Sequence, residues 1–377
     1  MPTELVFGQG RLEEVGKKTK GYGKKALLVT YEEEIMKKLG FIDKVIKYLE
    51  SEGIKTVIYD RVEPNPSIQT VDTGAELAKD KSCDVVVALG GGSVIDTGKG
   101  IAVVATHGRE VWDYMGENNI PGPTLPLIAI PTTAGTGSEM HRCAVISFKE
   151  KKIKWFMASP FIFPKVAIVD PVLTVSAPSY LTACVGIDVL THAVEAYTSR
   201  LSQPISDRLA LQAIELCAKN LPVVVMNGDD LEARTNMALA SSVAGIAMAQ
   251  AEAGNAHNLG TPLGGFFEAP HGAIVGLLLP HVMEYNLFTN LEKYANIARV
   301  MGEKVNGLSL RCAAIKAVEA IRNLLIVVGL PQKLRDLGVT KDTIPAIVDE
   351  VMRGNPNTTS TRIVKARDVK YLFEKAF

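Results

Sequence analysis

The sequence lacks the charge imbalance and the cysteine spacing that would point to a macromolecular partner or an oxidising compartment. The chain has 41 lysine and arginine residues and 41 aspartate and glutamate residues, so the formal net charge at pH 7 is zero. Nucleic acid and anionic membranes both require a basic surface, so neither is expected as a partner. The five cysteines form no CxxC pair, which argues against a zinc knuckle or a disulfide framework. We expect a small-molecule ligand instead.

Long apolar segments are also absent. The N-terminus has acidic residues early and no apolar core, so no signal peptide is predicted. The apolar run 273–279 is far shorter than the ~20 residues that span a bilayer. We therefore expect a cytoplasmic protein without a membrane segment. With 377 residues, the chain is long enough for two domains of roughly 100–200 residues each.

The two halves of the chain differ in their hydrophobic period. Strand-like runs at 25–30, 55–59, 84–89, 125–130 and 165–170 alternate with helical patterns at 33–52, 71–81 and 93–106. This alternation predicts a parallel sheet with helices on both faces. After residue 176 the helical period dominates, with Ser176 and Ser179 as candidate N-caps. We predict an α/β dinucleotide-binding domain with a parallel sheet over residues 1–175 and an all-α domain over residues 176–377.

A glycine turn follows the strand-like run 84–89. The residues Gly90-Gly91-Gly92-Ser93 lead directly into a predicted helix. Bare backbone at the start of a helix lets a phosphate approach the free N–H groups and the positive end of the helix dipole. The alternative is a tight turn with no ligand, because the spacing matches neither GxGxxG nor the P-loop.

A second polar loop, residues 131–139, follows the next predicted strand and consists of small hydroxyl residues and glycines. Ligands of parallel sheets bind at the carboxyl ends of the strands. Two such loops at neighbouring strand ends favour a dinucleotide over a mononucleotide.

Three of the six histidines belong to one pattern. Asp188 and His192 are four residues apart, so on a helix they lie one turn apart on the same face. His257 and His271 follow in glycine-rich apolar surroundings. Each residue alone is explained as well by a structural role, but the set suits Fe²⁺, Zn²⁺, Ni²⁺, Co²⁺ or Mn²⁺. The sequence therefore predicts a divalent metal site, with His281 as a candidate outer group.

Together these motifs resemble the iron-containing (group III) alcohol dehydrogenase family. The resemblance covers nearly the whole chain and is carried by GGGSVIDTGK at 90–99, PTTAGTGSE at 131–139, GIDVLTHAVEAY at 186–197 and APHG at 269–272. It implies a nucleotide-binding α/β domain, a helical domain, and reversible hydride transfer between a small primary alcohol or its aldehyde and NAD or NADP. It also implies Fe²⁺ or another divalent metal such as Zn²⁺, and a homo-oligomer such as a dimer.

The resemblance assigns roles residue by residue. The implied metal ligands are Asp188, His192, His257 and His271. The implied cofactor-binding residues are Asn65, Gly91, Gly92, Ser93, Asp96, Thr132, Thr133, Thr136 and Lys154. One position departs from the family pattern, because Thr261 stands where many members have a histidine that is proposed to relay a proton. A hydroxyl has no pKa near neutrality, so we expect a water to take over the relay, slower turnover near pH 7, or a different pocket shape.

The sequence leaves alternatives open for the choice of cofactor and for the reaction. Glu32, Glu33 and Glu34 after the first long strand would hydrogen-bond an adenine ribose and repel a 2′-phosphate, which slightly favours NAD. Lys37 and Lys38 would suit NADP. The runner-up interpretation is a glycerol dehydrogenase or dehydroquinate synthase of the same superfamily. A non-haem iron oxygenase and a non-catalytic nucleotide- and metal-binding protein are interpretations from other classes.

Overall fold

The structure is a computed structural model that describes residues 2–32 and 38–377. It divides into two compact units. Unit 1 runs to Thr133 and resumes over Ser138–Ala177, and unit 2 comprises Ala134–Gly137 and Pro178–Phe377. That these units correspond in function to domains 1–175 and 176–377 stays a prediction.

Unit 1 is built on a parallel sheet, as predicted. Its strands are β1 (Glu4–Phe7), β2 (Lys25–Tyr31), β3 (Lys55–Val62), β4 (Val85–Gly90), β6 (Leu127–Pro131) and β9 (Val166–Val169). They are parallel and lie in the order β1-β9-β6-β4-β2-β3. The direction in which the chain adds strands therefore reverses between β2 and β4. Ligands of open α/β sheets bind at the carboxyl ends of the strands at such a reversal.

The central strand β4 shows why the sheet has helices on both faces. Its residues point alternately into two separate cores: Val86 and Ala88 into one, and Val85, Val87 and Leu89 into the other. A strand buried on both faces has a continuous apolar run rather than alternation, and β-branched valines favour the extended backbone. The layers over the sheet contain α1 (Val15–Lys20), α2 (Phe41–Ser51), α3 (Ile68–Asp80) and α4 (Gly92–His107).

A second, three-stranded sheet in unit 1 was not predicted. It contains β5 (Gly116–Glu117), β7 (Cys143–Phe148) and β8 (Ile153–Ala158), in the order β5-β8-β7. The pair β7–β8 is an antiparallel hairpin closed by the charged segment 149–152. The helical pattern predicted for 33–52 corresponds to α2, and residues 33–37 of that prediction lie outside the described residues.

Unit 2 is helical, which confirms the predicted fold class. Its α-helices are α5 (Ser179–Thr198), α6 (Pro204–Met226), α7 (Leu231–Ala251), α8 (Asn255–Phe266), α9 (His271–Tyr285), α10 (Leu291–Val300), α11 (Leu310–Val327), α12 (Ile344–Arg353) and α13 (Ala366–Ala376). One apolar core joins them. The prediction of a serine N-cap for the first helix was wrong, because Pro178 precedes α5 and the Ser179 hydroxyl donates to the Val225 carbonyl instead.

Helix α6 is the one helix in the described ranges that is long and apolar enough to cross a membrane. Length and composition alone are weak evidence for a span, because a core helix passes the same test. Six apolar side chains of α6 are buried in the core of unit 2: Ala210, Ala213, Ile214, Cys217, Leu221 and Val224. These contacts place one face of α6 in the core of unit 2, whereas Ile205, Val223 and Met226 are exposed.

Close backbone packing fixes the position of α9 against α5. A Cβ atom placed on Gly272 would lie 1.9 Å from the carbonyl oxygen of Cys184, far inside any allowed contact. One turn further along, a Cβ on Gly276 would lie 2.0 Å from the Ile187 side chain. Glycine at both positions lets the two helices approach at backbone distance. This contact determines where His271, the first residue of α9, is held.

Candidate metal centre and nucleotide-binding loops

Helix α5 carries the acidic part of the predicted metal site. Asp188, His192 and Glu195 occupy positions i, i+4 and i+7 and lie on one helix face. All three are buried, at 2%, 6% and 4% exposure. Ionisable side chains are almost never this deeply buried unless they are paired or bind a metal, so this face of α5 requires partners.

Helix α8 supplies a further predicted ligand to the same place. The Nε2 atom of His257 lies 3.3 Å from Asp188 Oδ1, and His192 Nδ1 lies 4.0 Å from that same oxygen. The His192 and His257 rings stack with their centroids 4.3 Å apart. Ligand atoms of Asp188, His192 and His257 all lie within 4.8 Å of one another. A buried carboxylate and two imidazoles thus converge on one point.

These three residues fit a divalent cation. Asp188 Oδ1, His192 Nδ1 and His257 Nε2 are buried and have no hydrogen-bond partner among the described residues. Leaving such atoms unsatisfied costs about 1–3 kcal/mol each, so one group that contacts all three would remove a large penalty. Imidazole nitrogen with carboxylate oxygen is a donor set for Fe²⁺, Zn²⁺, Co²⁺ or Mn²⁺.

His271 lies beside this group. Its ring centroid is 5.3 Å from that of His257, at a tilt of 55°. The three-residue group with ligand atoms within 4.8 Å does not include it. Its role as a fourth ligand therefore stays a prediction.

The electrostatics of the cluster favour an ionised aspartate and a neutral His192. Burial raises the pKa of Asp188, but the neighbouring His192, His257 and His271 outweigh this and hold the pKa below its usual range. Burial lowers the pKa of His192 to about 4. Metal binding requires this carboxylate charged and this imidazole neutral.

Glu195 is a residue that the sequence analysis did not assign. Its Oε2 atom lies 2.6 Å from His257 Nδ1 and accepts the Gly254 N–H at 2.9 Å, while Oε1 accepts the Ala256 N–H. Burial lowers the pKa of His257, but the Glu195 and Asp188 carboxylates outweigh it and raise the pKa to about 9. A carboxylate on Nδ1 fixes the ring so that Nε2 faces the cluster. Its spacing, seven residues after Asp188 on one apolar helix, is the signal that identifies it.

The glycine turn begins α4 at the strand reversal of unit 1. Gly91 is the N-cap of α4, and Gly92 is its first residue. A Cβ on Gly91 would lie 2.9 Å from both Thr133 Oγ1 and Tyr31 Oη, so a larger residue there would displace these two hydroxyl groups. The Tyr31 hydroxyl lies against Gly91, and burial raises its pKa. Tyr31 is a second residue of the site that sequence reasoning missed.

The hydroxyl loop after β6 lies next to this turn. The Thr132 N–H donates to the Gly90 carbonyl at 3.0 Å, and Thr133 lies beside Gly91. Thr136 belongs instead to unit 2, in the segment Ala134–Gly137. There a Cβ on Gly137 would lie 2.8 Å from the Gly245 Cα atom, so this segment packs at backbone distance on α7.

Asp96 and Lys99, in the same motif, form a buried polar network. Lys99 has no exposed surface and donates to the Ser138 carbonyl at 2.8 Å, to Ser138 Oγ at 2.7 Å and to the Cys143 carbonyl at 2.7 Å. Asp96 accepts from Ser138 Oγ and from the Val145 N–H. These bonds hold α4 against the start of β7. The role of Asp96 as a cofactor-binding residue stays a prediction.

Asn65 and Lys154 are brought together by the structure. Lys154 Nζ donates to Asn65 Oδ1 at 2.9 Å. Asn65 has a φ of 54°, in the left-handed region that asparagine tolerates better than most residues. These two predicted nucleotide contacts therefore share one location in unit 1.

Comparison with known proteins identifies the chain. The model of the iron-containing alcohol dehydrogenase family matches residues 2–171, and that of the C-terminal domain of the Fe-containing alcohol dehydrogenase family matches residues 182–377. A 1,3-propanediol dehydrogenase of Klebsiella pneumoniae is 42% identical over 100% of this chain and 98% of its own length. The chain belongs to the iron-containing alcohol dehydrogenase family.

Two further comparisons extend across the whole chain. An NAD-dependent methanol dehydrogenase of Bacillus methanolicus is 36% identical over 100% of this chain and 98% of its own. The crystal structure of a 1,3-propanediol oxidoreductase superposes with a TM-score of 0.95 at 42% identity, over 100% of this chain and 98% of that one. The prediction of a metal-dependent alcohol dehydrogenase is confirmed.

Two further predicted positions of this iron-containing alcohol dehydrogenase are not members of the three-residue cluster. Thr261 is half-buried on α8, one turn after His257, and none of the described side chains hydrogen-bonds to its hydroxyl. His281, predicted as a candidate outer group, lies ten residues after His271 on α9. Burial and the Arg322 charge lower its pKa to about 4.

Proposed function

We propose that this alcohol dehydrogenase reversibly oxidises a short primary alcohol or diol to its aldehyde with NAD as the hydride acceptor. The observation that carries the proposal is the buried group Asp188, His192 and His257, with three ligand atoms that no described residue satisfies. We assign Fe²⁺ to this group, with His271 as the further ligand. The family to which the chain belongs supports the choice of iron.

The preference for NAD rests on charge and on similarity. Glu32 follows β2 and is exposed, and its carboxylate would repel a 2′-phosphate. Glu33, Glu34 and Lys37, which also entered this prediction, lie outside the described residues. The methanol dehydrogenase of Bacillus methanolicus is NAD-dependent. A ratio of kcat/KM values that strongly favoured NADP would contradict the assignment.

Short alcohols are proposed as substrates because of the relatives. By their names, the relatives from Klebsiella pneumoniae and Bacillus methanolicus act on 1,3-propanediol and on methanol. When bound, the cation supplies Lewis acidity toward an alcohol or carbonyl oxygen, and the nicotinamide supplies the hydride acceptor. The protein holds Asp188 ionised, keeps His192 neutral and orients His257 through Glu195. The N–H groups at the start of α4 suit the cofactor phosphates.

The substrate proposal is tested by absorbance at 340 nm on protein purified without oxygen and analysed for metal. A panel of methanol, ethanol, 1,3-propanediol, glycerol and the matching aldehydes is assayed with NAD or NADP, with and without added Fe²⁺. We expect the highest kcat/KM for a short alcohol or diol with NAD, and loss of activity after chelation. Turnover of glycerol alone would favour the glycerol dehydrogenase alternative, and no turnover across the panel would reject the proposal.

Thr261 provides a test of proton transfer. An imidazole at this position would titrate near neutral pH, whereas the threonine hydroxyl does not. We expect Thr261→His to change the pH dependence of kcat between about pH 6 and 8, with Thr261→Ser as the conservative control. Superimposable pH profiles of the wild type and Thr261→His would show that this position has no part in proton transfer.

We also propose a cytoplasmic location and a homo-oligomeric assembly. All five cysteines are free thiols, which suits a reducing compartment. Cell fractionation tests the location, and light scattering of the purified protein tests the assembly. Activity confined to a membrane or extracellular fraction, or a molar mass near 40.6 kDa at all concentrations, would contradict these proposals.

A further inference from the structure

A cavity lined by cationic side chains lies in unit 2. It has a volume of about 160 Å³ and is lined by side chains of α9, α11 and α13 and of the segment that joins α11 to the next turn. Pockets for drug-sized ligands begin at about 300 Å³, so this cavity suits a small ion rather than a nucleotide. Leu277, Pro280 and Leu325 form its apolar part.

The charged lining of the cavity is mainly basic. Arg322, Lys333 and Lys375 all line it. Glu284, the carboxylate that pairs with this group, accepts from Arg322 Nη1 at 2.6 Å on one oxygen and from Lys375 on the other. Three cations against one carboxylate leave a formal charge of +2 at the cavity.

Lys333 is the cation of this group that does not pair with Glu284. Across residues 2–32 and 38–377 the structure shows no ion pair for Lys333, although it faces the same cavity as Arg322 and Lys375. His281, also in the lining, adds no charge of its own at neutral pH because burial and the Arg322 charge lower its pKa to about 4. Lys333 and Lys375 are exposed and Arg322 is half-buried, and like charges gathered at such an open cavity repel one another unless an anion joins them.

We propose that this cavity binds a small oxyanion of the phosphate or dicarboxylate class. Such an ion bridges Arg322, Lys333 and Lys375 by charge-assisted hydrogen bonds, and Arg322 offers the planar fork that suits carboxylate and phosphate oxygens. The ion thereby links α11, the segment that follows it and α13. Helix α9 also carries His271, about 15 Å away along the helix axis from His281. The inference concerns unit 2 alone and does not depend on the proposed dehydrogenase reaction.

The probe is inorganic phosphate, with succinate and sulfate as parallel arms and sodium chloride at matched ionic strength as the baseline. The measurement is the melting temperature of the purified protein, with its metal and saturating NAD⁺ present so that the glycine turn of unit 1 is not free for phosphate. We expect a saturable rise of about 2–4 °C above the chloride baseline. A larger response to succinate than to phosphate would assign the site to dicarboxylates.

Two variants locate the effect. Lys333→Gln removes the unpaired cation and leaves the Glu284 pairs intact, and we expect it to weaken the apparent affinity about fivefold. The matched control is Lys304→Gln, because Lys304 is an exposed lysine of unit 2 that does not line the cavity. We expect this variant to bind the anion as the wild type does. Equal responses of the two variants, or no saturable rise with any of the three anions, would overturn the proposal.

Discussion

Replacement of Glu195 is the change that most directly tests how the metal site is built. Glu195 lies behind His257 and accepts hydrogen bonds from that ring and from the N–H groups of Gly254 and Ala256. In Glu195→Gln one oxygen becomes an NH₂ group, so at least one of the three donors loses its acceptor. In Glu195→Ala all three lose it, and the His257 ring is no longer held.

The size of the effect follows from these contacts. Loss of an outer carboxylate typically weakens metal affinity 10–100-fold, which corresponds to about 1.4–2.8 kcal/mol. We expect Glu195→Gln to lie near the lower limit, because its remaining carbonyl oxygen can still accept from His257 Nδ1. Glu195→Ala is expected near the upper limit. Because Glu195 acts through His257, it is a positioning residue, and kcat of fully metal-loaded enzyme should change less than the metal dissociation constant.

The assay is competition for metal against a chelator of known affinity, followed by metal analysis, with the visible spectrum of the Co²⁺-substituted protein as a second readout. Glu350→Gln is the matched control, because Glu350 is a buried glutamate of unit 2 that pairs with Arg353 and not with a cluster residue. Equal metal dissociation constants for wild type, Glu195→Gln and Glu195→Ala, with an unchanged Co²⁺ spectrum, would refute the reasoning.

Two further predictions concern stability. Gly272→Ala places a Cβ 1.9 Å from the Cys184 carbonyl oxygen, so we expect a loss of about 1–3 kcal/mol and a lower melting temperature, whereas Gly264→Ala, whose Cβ would meet nothing closer than 3.7 Å, should be neutral or slightly stabilising. Similar melting temperatures for the two variants would contradict the close helix packing. Burial and the Arg322 charge lower the pKa of His281 to about 4, so the folded protein favours the neutral ring. The contribution of His281 to the free energy of unfolding is therefore complete above pH 6.5 and is lost as pH falls from about 6.5 to 4. Denaturant titrations should show this acid-side loss, on the order of 2–3 kcal/mol, reduced in His281→Gln; identical pH dependence in the variant would rule the contribution out.

The parallel sheet of unit 1 was predictable because a strand that is buried on both faces has a continuous apolar run in its sequence. In β4 the run Val85–Gly90 is apolar throughout, and the turn that follows it is made of glycine. The hairpin of β7 and β8 was missed because its strands are only partly buried. In β8, Lys154 and Trp155 are both half-buried, so this part of the strand has no clear apolar face. Charged residues form the turn between β7 and β8. Such a pattern resembles a surface loop.

The metal cluster was only partly readable from the sequence. Asp188 and His192 are related by helix periodicity, so their shared face follows from local structure. His257 lies on another helix, and its approach to Asp188 depends on tertiary packing that no local pattern encodes. The place of Glu195 on the helix face of Asp188 and His192 was readable from its spacing, whereas its contact with His257 was not. The role of Tyr31 was not, since its contact with Gly91 arises only when β2 and β4 are neighbours in the sheet.

The burial of Lys99 has a practical consequence for chemical labelling of this enzyme. Its ammonium group has no exposed surface and donates to three acceptors, and burial lowers its pKa despite the Asp96 charge. An amine-reactive reagent therefore cannot reach this lysine in the folded protein, although it stands in the glycine motif. Inactivation by such a reagent, if NAD protects against it, would report on the half-buried Lys154. Modification of Lys99 would instead be a sensitive sign that unit 1 has opened.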